Sequence, residues 1–238
     1  MFTPEERDAL RVRLIERARE DDRITGAALT GSAARGEEDR WSDVDVFLGV
    51  SGDLDQVMED WTEDLAAVHH WDLRAGEAVY RVFLLENGLQ VDIAFTPESS
   101  FAARGPSFHV LFGEASEAPT PAPPTFADVA GLGWLGVLHA YTRIKRGKPW
   151  EAAYWIAGIR DQTLALGCLR HGEKPAYARG VDRLPAAVTS PLEATFVHSL
   201  AADELRRALR EARRCLINEI AETDGQLATR LECALPGG

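Results

Sequence analysis

The apolar positions change period along the chain. The opening segment "TPEERDALRVRLIERARED" sets Leu10, Leu14 and Ile15 at helical spacing among charges, which predicts a helix with Thr3 at its N-cap. Short runs of strand character follow. "ITGAALTG" is small and apolar, "VDVFLGV" is β-branched and apolar, and a helix of the "DLDQVMEDWTEDLAAV" type leads from there to "AVYRVFLLENG" and "LQVDIAFTP". Asn87-Gly88 between the last two runs predicts a tight turn and an antiparallel hairpin. The alternation in "LQVDIAF" puts Val91, Ile93 and Phe95 on one face of a strand and Gln90, Asp92 and Ala94 on the other.

Past residue 125 the period is helical. Helices are predicted over 126–147, 150–171, near 191–200 and over 202–223, the last with one apolar stripe in "DELRRALREARRCLINEIAE". "EAPTPAPPTFAD" separates the two regimes, with four prolines between 119 and 124. The expected organisation is α+β: a mixed β-sheet flanked by helices over 1–118, a proline-rich linker over 119–125, and an all-α helical bundle over 126–238. No repeat is present.

Composition narrows the class. Hydrophobic residues make up 45% and charged residues 27%, with no apolar leader and no long uncharged run, so neither an export signal nor a membrane span is expected. Cys168, Cys215 and Cys233 are odd in number and far apart, as for reduced thiols packed as small hydrophobes in a cytoplasmic protein. The net charge is -12 and is unevenly spread: residues 1–105 hold 11 basic and 23 acidic side chains, and the remainder 15 of each. A negative field over the first part repels nucleic acid and attracts metal ions or a polycationic small molecule.

The candidate chemistry lies in "GSAARGEEDRWSDVDVFLG", residues 31–49. Gly31-Ser32 ends a small-residue strand, where a glycine permits close backbone approach and a following helix N-terminus would offer N–H groups to phosphates. Asp43 and Asp45, at i and i+2, project from the same strand edge and are placed to share a divalent metal. Asp92, on the alternating strand, supplies a third carboxylate. Three carboxylates beside a phosphate-binding turn suit two-metal phosphoryl chemistry.

Leu29 to Ser32, Asp43, Asp45 and Asp92 resemble, in order and spacing, the signature of the nucleotidyltransferase superfamily that includes DNA polymerase beta. The domain order resembles the antibiotic nucleotidyltransferases of the kanamycin, streptomycin and lincosamide types, in which a minimal nucleotidyltransferase domain precedes a helical bundle. This resemblance implies two Mg2+ ions held by Asp43, Asp45 and Asp92, ATP as nucleotide donor, and a small acceptor whose hydroxyl receives AMP. The acidic catalytic part favours a cationic acceptor such as an aminoglycoside. Gly31 and Ser32 would hold phosphates, with Arg35 reaching a β- or γ-phosphate. In "YTRIKRGKPWEAAYWIAGIRDQ", Arg143, Lys145, Arg146 and Lys148 would neutralise the triphosphate, Lys145 foremost. The base that takes the acceptor proton is left open among Glu151, Asp161 and Asp92. Trp134, Trp150, Tyr154 and Trp155 read as bundle core, with stacking on adenine or a flat acceptor as the alternative. Either a monomer or a homodimer fits the resemblance.

A competing class is a toxin-antitoxin nucleotidyltransferase that modifies a protein or tRNA, and the charge of -12 disfavours the tRNA. The helical RNases of such systems carry an Arg-x4-6-His motif; the one such spacing, Arg104 to His109, spans Gly105 and Pro106 and does not suit a helix. A non-catalytic nucleotide-binding protein is disfavoured because all three carboxylates are retained.

Overall fold

The computed structural model describes residues 1–103, 105, 107–119 and 122–237. Arg104 and Pro106 of the Arg104-to-His109 spacing, and Thr120 and Pro121 of the expected linker, lie outside the described residues. The chain divides into two compact units, Met1–Pro121 and Ala122–Gly238.

The first unit runs α1 (Pro4–Glu20), β1 (Ile24–Thr30), β2 (Val44–Val50), α2 (Leu54–Leu65), β3 (His69–Ala75), β4 (Ala78–Leu84), β5 (Gln90–Pro97), β6 (Ala102–Ala103), β7 (Phe108–Phe112) and β8 (Ser116–Glu117). α1 starts at a capping box in which Thr3 and Glu6 satisfy each other's backbone N–H. The main sheet has the order β3-β4-β5-β2-β1-β7. β2 and β5 are parallel, and the other pairs are antiparallel. The mixed sheet follows from chain order, because α2 and the β3–β4 hairpin intervene before β5 returns beside β2.

The period-2 pattern decides which face meets the helices. Val44, Val46, Leu48 and Val50 of β2 and Val91, Ile93 and Phe95 of β5 are buried in one core with Leu10 and Leu14 of α1 and Val57, Met58 and Trp61 of α2. The intervening residues face the other way, where Phe47 and Ala94 pack with Phe101 in a smaller cluster. Asp45 and Asp92 share this second face by the same parity. The β4–β5 hairpin turns at Gly88, with φ +79, and closes through Leu85 and Leu89. β3 and β7 are additional to the expected strands. β3 is the sheet edge with most of its residues exposed, so it lacks the buried-face alternation that reveals a strand.

The second unit is all-α: α3 (Phe126–Lys145), α4 (Pro149–Arg170), α5 (Ala186–Thr189), α6 (Ala202–Ala221) and α7 (Gly225–Ala234), with short 3-10 turns. Val137, Ile156, Ile159, Leu205, Leu209 and Leu216 form its core. Gly133 and Gly136 let neighbouring helices approach α3: a Cβ there would sit 2.7 Å from Leu216 Cδ1 and 2.9 Å from Ile159 Cγ1 respectively. The helix expected near 191–200 is replaced by a 3-10 turn over Ser190–Thr195 and irregular chain. Arg207 donates to the Ala194 and Phe196 carbonyls and draws them out of a helical ladder. α7 is additional. Trp150 and Tyr154 are 77% and 71% exposed and do not belong to the core, whereas Trp155 is half-buried and stacks on His139 at 4.4 Å. Cys168 and Cys215 are buried, and Cys233 is exposed, contrary to the packed-thiol expectation for it. Among the described residues no helix is long and apolar enough to cross a membrane.

Candidate active site

Gly31 follows the last residue of β1, and its φ of +64 favours glycine. The stronger constraint is steric: a Cβ at Gly31 would lie 1.9 Å from Asp45 Oδ2. The strand end is thus pressed against the carboxylate of the neighbouring strand. Asp45 is the register partner of Asp92 across the parallel β2–β5 pair, and Asp43 stands one residue before β2. One carboxylate oxygen from each of Asp43, Asp45 and Asp92 falls within 4.8 Å of the others, and all three residues are partly buried.

Burial pushes the Asp92 carboxyl above its ordinary range, and the neighbouring Asp43 charge adds to the rise. Gln90 opposes both by donating to Asp92 Oδ1 at 2.9 Å. Like charges half withdrawn from water repel one another, and a cation among them removes the penalty. An all-carboxylate donor set fits a hard divalent ion such as Mg2+. The alternation puts Gln90 on the face of Asp92; the structure adds the hydrogen bond between them.

After Gly31-Ser32 the chain makes a single 3-10 turn, Ala33–Arg35, in place of the expected helix N-terminus. Gly36, with φ +66, ends the turn at once, so no macrodipole develops, and what remains for a phosphate is the turn backbone and the Ser32 hydroxyl. Arg35 braces this turn: its guanidinium donates to Gly31 O at 2.7 Å, to Ser107 Oγ at 2.9 Å and to Glu37 Oε2 at 2.6 Å.

Lys145 and Glu151 belong to the second unit. Lys145 ends α3, exposed, with its ammonium 5.1 Å from the centre of the Tyr141 ring. Glu151, in the first turn of α4, takes ion pairs from Lys148 and Arg143, both at 2.8 Å. The hydrogen bond from Lys148, with Arg143 and Arg146 nearby, holds the Glu151 carboxyl below its ordinary range, which weakens it as a base. Two of the four cations expected to face a triphosphate are therefore engaged with Glu151. Asp161 is exposed and makes no ion pair among the described residues.

Residues 12–101 match the family model of the nucleotidyltransferase domain. No curated protein matches the chain by sequence. Among solved structures the chain is similar to an aminoglycoside 6-adenyltransferase from Bacillus subtilis, with 14% identity, a TM-score of 0.37, and coverage of 98% of this chain and 100% of that one. Gly31, Ser32, Asp43, Asp45 and Asp92 all fall inside the span that matches the nucleotidyltransferase domain.

Proposed function

We propose that this protein transfers a nucleoside monophosphate, AMP from ATP, to a hydroxyl of a small cationic acceptor such as an aminoglycoside, and releases pyrophosphate. The observation that carries the reading is the meeting of Asp43, Asp45 and Asp92 beside the Gly31 turn, within a nucleotidyltransferase domain. Asp43, Asp45 and Asp92 would hold Mg2+, which when bound supplies charge neutralisation on the triphosphate and lowers the pKa of the attacking hydroxyl. The Gly31-Ser32 turn, braced by Arg35, orients the phosphates. The acceptor oxygen forms a bond to the α-phosphorus, the bond to the bridging oxygen breaks, and pyrophosphate leaves. The acceptor proton passes to a carboxylate, and Asp92, within the carboxylate cluster, suits that better than Glu151, whose charge is already matched by two cations.

The acidic excess of the first 105 residues supports a cationic acceptor. The test incubates the protein with Mg2+, labelled ATP, GTP, CTP or UTP, and a panel of aminoglycosides and lincosamides, and follows pyrophosphate and acceptor mass. An acceptor gain of one AMP that disappears in Asp43→Asn and Asp45→Asn is expected. Pyrophosphate release that survives both substitutions refutes the metal assignment.

A further inference from the structure

Resting on the nucleotidyl-transfer reading, we propose that Trp71, Leu73, Val82 and Leu84 form an apolar shelf that seats the acceptor, and that the acceptor is an amine-bearing alcohol with a flat or apolar face. Cross-strand register carries the placement. Asp45 pairs with Asp92, Asp92 with Val82, and Val82 with Trp71, so one row of side chains crosses β2, β5, β4 and β3 on a single face of the sheet. Leu73 lies on that face opposite Tyr80, and Leu84 lies on it opposite Gln90.

The open face of an antiparallel edge ordinarily carries polar side chains. Here Trp71 is 59%, Leu73 48% and Leu84 49% exposed, and Val82 is half-buried between them. This apolar surface starts one strand from Asp92. Adjacent strands are about 4.8 Å apart, so Trp71 stands roughly 10 Å from Asp92, the span of a six-membered ring with its substituents.

The occupant follows from the geometry of displacement. Gly31-Ser32 follows β1, which lies on one side of β2, and Asp92 and the shelf lie on the other. In-line displacement at phosphorus sets the entering hydroxyl opposite the leaving pyrophosphate. With phosphates at the Gly31 turn, the acceptor enters from the Asp92 side and its body lies over β4 and β3. The carboxylates draw its amine while Trp71 stacks on its apolar face.

The experiment compares Trp71→Ala, Trp71→Phe and Leu73→Ser with the wild type, using lincomycin, an amino sugar with an apolar side chain, and kanamycin, whose substituents are all polar, as probe acceptors with Mg2+ and ATP. Expected are transfer to lincomycin, a rise of roughly tenfold or more in its KM for Trp71→Ala with kcat within about threefold, and recovery of most of that rise in Trp71→Phe. The KM for ATP stays unchanged in all three variants, and Asp45→Asn abolishes pyrophosphate release. Transfer to kanamycin alone or to neither probe overturns the proposal, as does an unmoved acceptor KM in Trp71→Ala. So does a dimer that Trp71→Ala disrupts while acceptor kinetics stay the same, which would make the shelf a contact between two copies. Pyrophosphate release that persists in Asp45→Asn instead overturns the nucleotidyl-transfer reading itself.

Discussion

Gly31→Ala tests whether the strand end and the carboxylate cluster act as one unit. Two costs arise. The first is conformational: an alanine at φ +64 costs about 1 kcal/mol, which for a chain of this size lowers Tm by about 3 °C. The second is steric: the new Cβ meets Asp45 Oδ2 at 1.9 Å, and real Cβ contacts do not fall under 3.0 Å, so one of the two must retreat. Asp45 gives way, because its carboxylate rotates more readily than the strand moves. A displacement of about 1 Å at a catalytic group costs on the order of 100-fold in rate. Gly36→Ala isolates the first cost, since Gly36 has φ +66 and nothing within 4 Å of its Cβ position. The assay is Mg2+-dependent pyrophosphate release with Tm by scanning fluorimetry. Both variants are expected to lose a few degrees, and only Gly31→Ala the activity. Activities within threefold of each other would refute the steric argument.

Two further predictions concern stability. Gly131→Ala in α3 meets nothing closer than 3.9 Å and should raise the urea midpoint by about 0.5–1 kcal/mol of stability, whereas Gly136→Ala, with Ile159 Cγ1 at 2.9 Å, should not; equal gains would remove the packing role of Gly136. Asp21 is held at about 2, down from 3.8, first by hydrogen bonding to Arg23 and also by Trp61 Nε1. A depressed folded-state value stabilises above the unfolded one and fades as pH falls, so the advantage of wild type over Asp21→Asn in urea unfolding should be about 1–2 kcal/mol at pH 5 and shrink towards pH 2; a constant difference would refute the pairing.

The candidate face is legible in the sequence because its constraint is periodic. A carboxylate inside an apolar alternation has to leave the core face, and "VDVFLGV" and "LQVDIAF" each state this locally. That Asp45 and Asp92 stand side by side is a matter of register between segments far apart in the chain, and only the folded sheet supplies it. β3 was illegible for the converse reason. "HHWDLRA" has no buried face, so Trp71 and Leu73 look like isolated apolar residues until pairing with β4 aligns them with Val82 and Asp92. The turn after Ser32 departs from the expected helix because the left-handed Gly36 stops "AARGEEDRW", which suits a helix in composition, after one turn.

The net charge of -12 gains meaning from where its counter-charges sit. Arg7 and Arg11 pair with Asp8 and Glu38, Arg17 with Asp64, Arg23 with Asp21 and Asp60, Arg35 with Glu37, and Arg81 with Asp72. None of these pairs involves Asp43 or Asp92. These six arginines tie α1, α2, the turns and the β3–β4 hairpin together. Had one of them reached Asp92, its charge would lower that carboxyl and occupy the space a metal ion needs. Burial raises Asp92 instead, which accords with the proposed function, in which a divalent cation with its nucleotide and then a cationic acceptor would supply the countercharge.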